Sequence, residues 1–166
     1  GINSDLDSDI KIGTFSKALG SYGGYVAASK NVIELIRNKA RSFIYSTALP
    51  PAVIAANIEA LEIITKNPSL LSIPLKKAKL FTKELSIKEA TSPIIPVIFK
   101  TSKAALDASQ KLFNEGFFVI AIRKPSVLTP RLRLSFSLEH KDKDIVSLAR
   151  VIQGLDFVRW VFTFYS

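Results

Sequence analysis

Short alternating runs and amphipathic runs follow one another along this chain, with glycine and proline between them. I-K-I-G-T-F at 10–15 alternates with period two, as a half-buried strand does, and runs straight into a lysine and a group of glycines. G-G-Y-V-A-A-S predicts a second short strand, and N-V-I-E-L-I-R-N-K-A a helix with Ser29 or Asn31 as its N-cap. F-I-Y-S-T-A-L-P-P at 43–51 reads as a third extended piece, with Pro51 suited to the first turn of the next helix. That helix, A-V-I-A-A-N-I-E-A-L-E-I-I-T-K, is apolar on nearly every face and is expected to be well buried. The break N-P-S at 67–69 divides the chain into a first domain, 1–67, and a second, 68–166.

Beyond the break, a basic amphipathic helix is expected over about 70–86, then a strand, I-I-P-V-I-F-K. The helix S-K-A-A-L-D-A-S-Q-K-L-F-N-E-G stops at Gly116. A strand F-F-V-I-A-I-R, a loop K-P-S-V-L-T-P and a strand R-L-R-L-S-F-S lead to a last helix over about 142–153. Strands alternating with helices predict an α/β or α+β layered fold, helices packed on a sheet. The tail D-F-V-R-W-V-F-T-F-Y-S is aromatic and admits three readings: an out-of-frame remnant, a packing strand, or an aggregation-prone edge.

Composition narrows the function classes. With 166 residues, 48% hydrophobic and 22% charged, the chain is that of a folded globular protein. A net charge of +9 raises nucleic acid as a partner. Lysines 76, 77, 79, 83 and 88, however, fall along one helix and its exit without interleaved aromatics, so they read as a solvated face and no nucleic-acid partner is expected. No apolar run is long enough to span a bilayer, and the acidic, polar start G-I-N-S-D-L-D-S-D is unlike an export signal. The absence of cysteine removes thiolate catalysis and zinc–thiolate sites and suits a reducing cytoplasm. His140, the sole histidine, lies in the polar segment ahead of the last helix and reads as a surface residue rather than a general base.

The chemistry concentrates in I-G-T-F-S-K-A-L-G-S-Y-G-G-Y at 12–25. A phosphate loop of the G-x-x-x-x-G-K-[ST] kind fails, because Ser16 precedes Lys17 and Ala18 follows it. A dinucleotide fingerprint fails as well, because Gly20, Gly23 and Gly24 lie between two strands in the spacing G-x-x-G-G. A lysine at a strand end remains, flanked by the hydroxyls of Thr14 and Ser16. Such a setting suits a Schiff-base lysine holding pyridoxal phosphate, the rival being an exposed lysine in a glycine-rich turn.

G-T-F-S-K-A-L-G-S-Y-G-G-Y-V-A resembles the active-site segment of the α-oxoamine synthases, fold-type-I pyridoxal-phosphate enzymes that join an amino acid to an acyl-CoA with loss of carbon dioxide. S-T-A-L-P-P within 43–51 and V-I-A-I-R-K-P-S-V followed by R-L-R-L-S are similar to two further segments of that family, in the same order. The resemblance implies that Lys17 binds the cofactor and moves protons at the substrate α-carbon, an amine kept partly neutral by burial and cationic neighbours. It implies that Thr14 contacts the cofactor phosphate, with Ser16 a weaker candidate, and that Ser46 and Thr47 reach the phosphate of a neighbouring subunit in a homodimer. Arg133 would bind the substrate carboxylate, with Arg123 and Ser126 near substrate and Arg131 an alternate contact. The substrates would be an amino acid and an acyl-CoA or acyl-carrier-protein thioester.

The pattern departs from the family in three places. The family's ring-pairing aspartate and two histidines lie well upstream of the lysine, whereas only sixteen residues precede Lys17 here, none of them histidine. Asp5, Asp7 and Asp9 match no motif for the aspartate's role. The loop between Arg123 and Arg133 lacks the customary glycine, and the aromatic tail replaces a short polar ending. The resemblance therefore implies a C-terminal fragment: the end of the large cofactor domain and the small α+β domain.

Overall fold

The computed structural model describes residues 8–158, and the chain divides between Pro68 and Ser69 into two compact units. The first begins with β1 (Ile10–Thr14) and β2 (Gly24–Ala28), an antiparallel pair in which Thr14 lies opposite Gly24. The pairing extends one residue further, since Phe15 N–H donates to Gly23 O at 2.9 Å. Within the loop, Ser21 N–H donates to Phe15 O at 2.9 Å and Gly20 N–H to Lys17 O at 3.0 Å. Two backbone conformations there favour glycine: φ is +64° at Gly20 and +103° at Gly23. A Cβ on Gly23 would also lie 2.7 Å from Leu49 Cδ1.

Three helices follow: α1 (Lys30–Lys39), α2 (Arg41–Ile44) and α3 (Pro51–Lys66). Two expectations need correction here. The segment 43–51 is not extended throughout, because Phe43 and Ile44 close a helical turn with N–H bonds to Ala40 O; local hydrogen bonding overrides the β-preference of aromatic and branched residues. The helix α3 is not well buried: its one buried residue is Asn57, while Ile54, Ile58, Leu61 and Ile63 are exposed. Phe15 is the single buried hydrophobic residue among the described residues of this unit.

The second unit is an α+β layer pair. A 3-10 turn at Pro68–Ser72, where a regular helix is expected, leads into α4 (Ile73–Glu84). The lysine stripe behaves as a solvated face, with Lys76, Lys79 and Lys83 exposed and Lys79 paired to Glu89. β3 (Ile94–Ile98), α5 (Ser102–Asn114), β4 (Ile120–Ile122), β5 (Arg131–Ser135) and α6 (Asp142–Gln153) complete it. The sheet is antiparallel with order β3-β5-β4. β4 is shorter than the strand read over 117–123, because Gly116 at φ +86° and the bond from Phe117 N–H to Leu112 O use those residues to end α5. Pro96 lies on edge strand β3, where a missing N–H can face away from the ladder.

Strand alternation sorts β5 into two faces. Leu132 and Leu134 join Ile95, Val97, Phe81, Leu112, Ile145 and Ile152 in the core, and Arg133 and Ser135 project to the exposed face. Thr101 caps α5 by accepting from Ala104 N–H at 3.1 Å. His140 is exposed, its Nδ1 accepting from Ser137 N–H at 3.1 Å, and the carbonyls of Leu138 and His140 accept from Lys77 Nζ. The tail enters the fold at Val158, whose N–H donates to Ile98 O at 2.8 Å; the readings of 159–166 lie outside the described residues.

Two outcomes follow from this packing. Phe81→Ala removes a ring that is 0% exposed and is expected to destabilise the second unit by about 3–5 kcal/mol in urea unfolding. Gly23→Ala meets both the positive φ and Leu49 and is expected to cost about 1–3 kcal/mol, read as faster amide exchange confined to the first unit.

Candidate active site

The lysine turn is built from the end of β1 outward. Phe15 is buried and packs against the Tyr25 ring at 5.4 Å, which roots the turn on the hairpin. Gly13 leaves room for that ring, since a Cβ there would lie 2.4 Å from Tyr25 Cζ. Thr14 Oγ1 donates to Gly23 O at 3.0 Å and accepts from Ser16 N–H at 3.2 Å. The Thr14 and Ser16 hydroxyl oxygens lie 2.7 Å apart. With the Thr14 proton directed to Gly23 O, the Ser16 hydroxyl donates to Thr14.

Lys17 follows on this frame, exposed and without an ion pair or side-chain hydrogen bond among the described residues. The burial expected around its amine is absent, because the hairpin offers no second wall. The structure thus brings Thr14, Ser16 and Lys17 into one turn. Two exposed hydroxyls and an exposed amine on a rigid backbone form a donor set that suits an aldehyde bearing a phosphate: hydroxyls for phosphate oxygens, amine for carbonyl carbon.

Ser46 and Thr47 lie in the same unit, just past α2, and both are exposed. Ser46 Oγ donates to Ser42 O within the chain, which leaves Thr47 as the hydroxyl of the pair without an internal hydrogen bond among the described residues. Asn57, which the sequence reading passed over inside an apolar helix, sends Nδ2 to Tyr22 O at 3.1 Å and so touches the lysine loop directly. A lone amide in a run of alanine, isoleucine and leucine was the available signal.

The arginine candidates sit in the second unit. Arg133 occupies the central strand between Pro96 of β3 and Ile120 of β4, exposed and without an ion pair among the described residues. Its two strand neighbours leave a planar guanidinium free to present paired N–H donors to a carboxylate. Arg131 is half-buried and its Nε donates to Thr129 O at 3.0 Å. Arg123 and Ser126 form one turn, with Ser126 N–H donating to Arg123 O at 3.0 Å around a cis Lys124–Pro125 bond. An apolar groove between α5 and β4, lined by Leu106, Phe113, Phe118 and Ile120, contains none of these candidates.

Known proteins resemble this chain in sequence and fold. The family model of aminotransferase class I and II matches residues 2–152. The 8-amino-7-oxononanoate synthase of Granulibacter bethesdensis is 49% identical over 151 residues, covering 90% of this chain and 40% of that protein. The serine palmitoyltransferase of Sphingomonas wittichii matches with a TM-score of 0.80 at 25% identity, over 89% of this chain and 39% of that one. A serine palmitoyltransferase variant from S. paucimobilis with a bound PLP–myriocin aldimine matches at 0.75 and 26%, over 87% and 39%. The chain spans about 40% of the length of the relatives it matches. The resemblance drawn from the three motifs and the expected fold class, part of a fold-type-I transferase, both hold over that share. With the family match running through the lysine turn, both units and the helix α6, this chain belongs to the aminotransferase class I and II family.

Proposed function

We propose that this chain is the lysine-bearing part of a pyridoxal-phosphate-dependent acyltransferase that condenses an amino acid with an acyl thioester and releases carbon dioxide. The observation that carries the reading is the turn that sets Thr14, Ser16 and Lys17 side by side on a fixed backbone. Identity of 49% with an 8-amino-7-oxononanoate synthase favours L-alanine and a pimeloyl thioester, carried by coenzyme A or an acyl carrier protein, as substrates for biotin synthesis.

When bound, the cofactor supplies an aldehyde carbon that takes up amines and a ring that accepts the electron pair left at the substrate α-carbon. Lys17 Nζ would hold it covalently and, once displaced by the substrate amine and so freed, would carry the proton removed from the substrate α-carbon. The Ser16 hydroxyl would turn from Thr14 to donate to a phosphate oxygen, beside Thr14, whose proton stays directed to Gly23 O, and Thr47, with Ser46 beside it, would donate for the neighbouring subunit of a homodimer. Arg133 fixes the substrate carboxylate through two parallel N–H bonds, which orients the α-carbon. Arg123 and Ser126 line the approach. A cytoplasmic location accords with a chain that has no cysteine.

One observation favours a second reading, a chain that folds and dimerises or binds a complementary half but does not catalyse: the first unit leaves Ile12, Phe43, Tyr45 and Ile58 exposed. The two readings separate by labelling. Incubated with pyridoxal phosphate and reduced with borohydride, the chain is expected to carry the label on Lys17, and Lys17→Ala to lose it; label spread evenly over the exposed lysines sinks the catalytic reading. In an active assembly containing this chain, Arg133→Lys is expected to raise the amino-acid KM roughly tenfold, about 1.4 kcal/mol, because a point charge replaces a two-pronged donor. An unchanged KM removes Arg133 from the carboxylate site.

A further inference from the structure

Asn57 is 7% exposed on a helix whose apolar side chains lie open, and its Oδ1 is buried with no hydrogen-bond partner among the described residues. An amide half unmet in a buried position costs free energy that leucine would not. The bond it does make spans 35 positions of sequence, from Nδ2 to Tyr22 O. Tyr22 directly precedes Gly23, a glycine held at φ +103°. On the far side of that joint, Gly23 O receives both Phe15 N–H and the Thr14 hydroxyl.

We propose that Asn57 is a positioning residue for the lysine turn. By holding the Tyr22 carbonyl from α3 it fixes the peptide on one side of Gly23, while Phe15 and Thr14 fix the peptide on the other. With both sides held, the Gly23 carbonyl stays where it orients the Thr14 hydroxyl, and Lys17 leaves β1 at a set angle. Freed on one side, Gly23 can rotate, its carbonyl leaves Thr14, and hydroxyl and amine lose their common frame. The consequence for cofactor binding rests on the proposed function; the structural half does not.

Two variants test this. Asn57→Leu removes both polar atoms, whereas Asn57→Asp keeps size and oxygen but cannot donate when ionised. Backbone amide exchange on the whole chain reads the joint directly. In both variants, exchange at Phe15 and Ser21 is expected to rise about tenfold, with protection within β1, β2 and the second unit unchanged. The Kd for pyridoxal phosphate, followed by absorbance and by borohydride labelling at Lys17, is expected to rise by a similar factor. Wild-type protection at Phe15 and Ser21 in Asn57→Asp overturns the inference, and so does loss of protection across the entire first unit, which would make Asn57 a packing residue. If the wild-type chain takes no label at Lys17, the cofactor reading fails, and the amide data alone still decide the role of Asn57.

Discussion

The carbonyl oxygen of Gly23 is the point on which the lysine turn depends. It accepts a backbone N–H from Phe15 and a hydroxyl from Thr14, and so ties one end of the loop to the other while setting a side chain that flanks Lys17. Two such bonds contribute about 1–3 kcal/mol together. The burial of Phe15 against Tyr25, the inner turn between Lys17 and Gly20, and the glycines that enter positive φ without strain act with them. A frame of this kind fixes the backbone on which Lys17 stands without surrounding the side chain, which is exposed.

The two units solve different physical problems. In the second, side chains of α4, α5 and α6 close over one face of a three-stranded sheet, and the residues with lowest exposure form one cluster from Phe81 to Phe157. Alternation on β5 then leaves Arg133 on the opposite face with no extra cost. Among its described residues the first unit has a two-stranded ribbon and three helices but buries only Phe15 of its hydrophobic side chains. A two-stranded ribbon is marginal on its own, and Ile12, Phe43, Tyr45 and Ile58 of this unit are exposed. The candidate cofactor residues thus sit on the unit with less internal burial among the described residues, and the substrate-carboxylate candidate on the unit with more.

Much of this was legible in the sequence, for reasons particular to each element. Period-two alternation located β1 even though its Ile10 and Ile12 are exposed, whereas β3, β5 and the helix α6 at Asp142–Gln153 were read where the local apolar pattern and tertiary burial agree. The hydroxyls around Lys17 could be read as a set because they are adjacent in sequence. Burial of α3 could not be read, because an apolar helix reports what it would bury against and not whether that partner is present. Residues 43 and 44 were misread because β-preference is set by packing that the turn at Ala40 replaces. Asn57 stayed hidden because its partner, a backbone carbonyl, has no sequence signature.

The central claim is that Thr14, Ser16 and Lys17 form one preassembled site for an aldehyde that carries a phosphate. A crystal structure of the chain grown with pyridoxal phosphate tests it most directly. The account requires continuous density from Lys17 Nζ to the cofactor, with phosphate oxygens within hydrogen-bond reach of the Thr14 or Ser16 hydroxyl. Density that joins the cofactor to another lysine, or a phosphate held away from both hydroxyls, contradicts it.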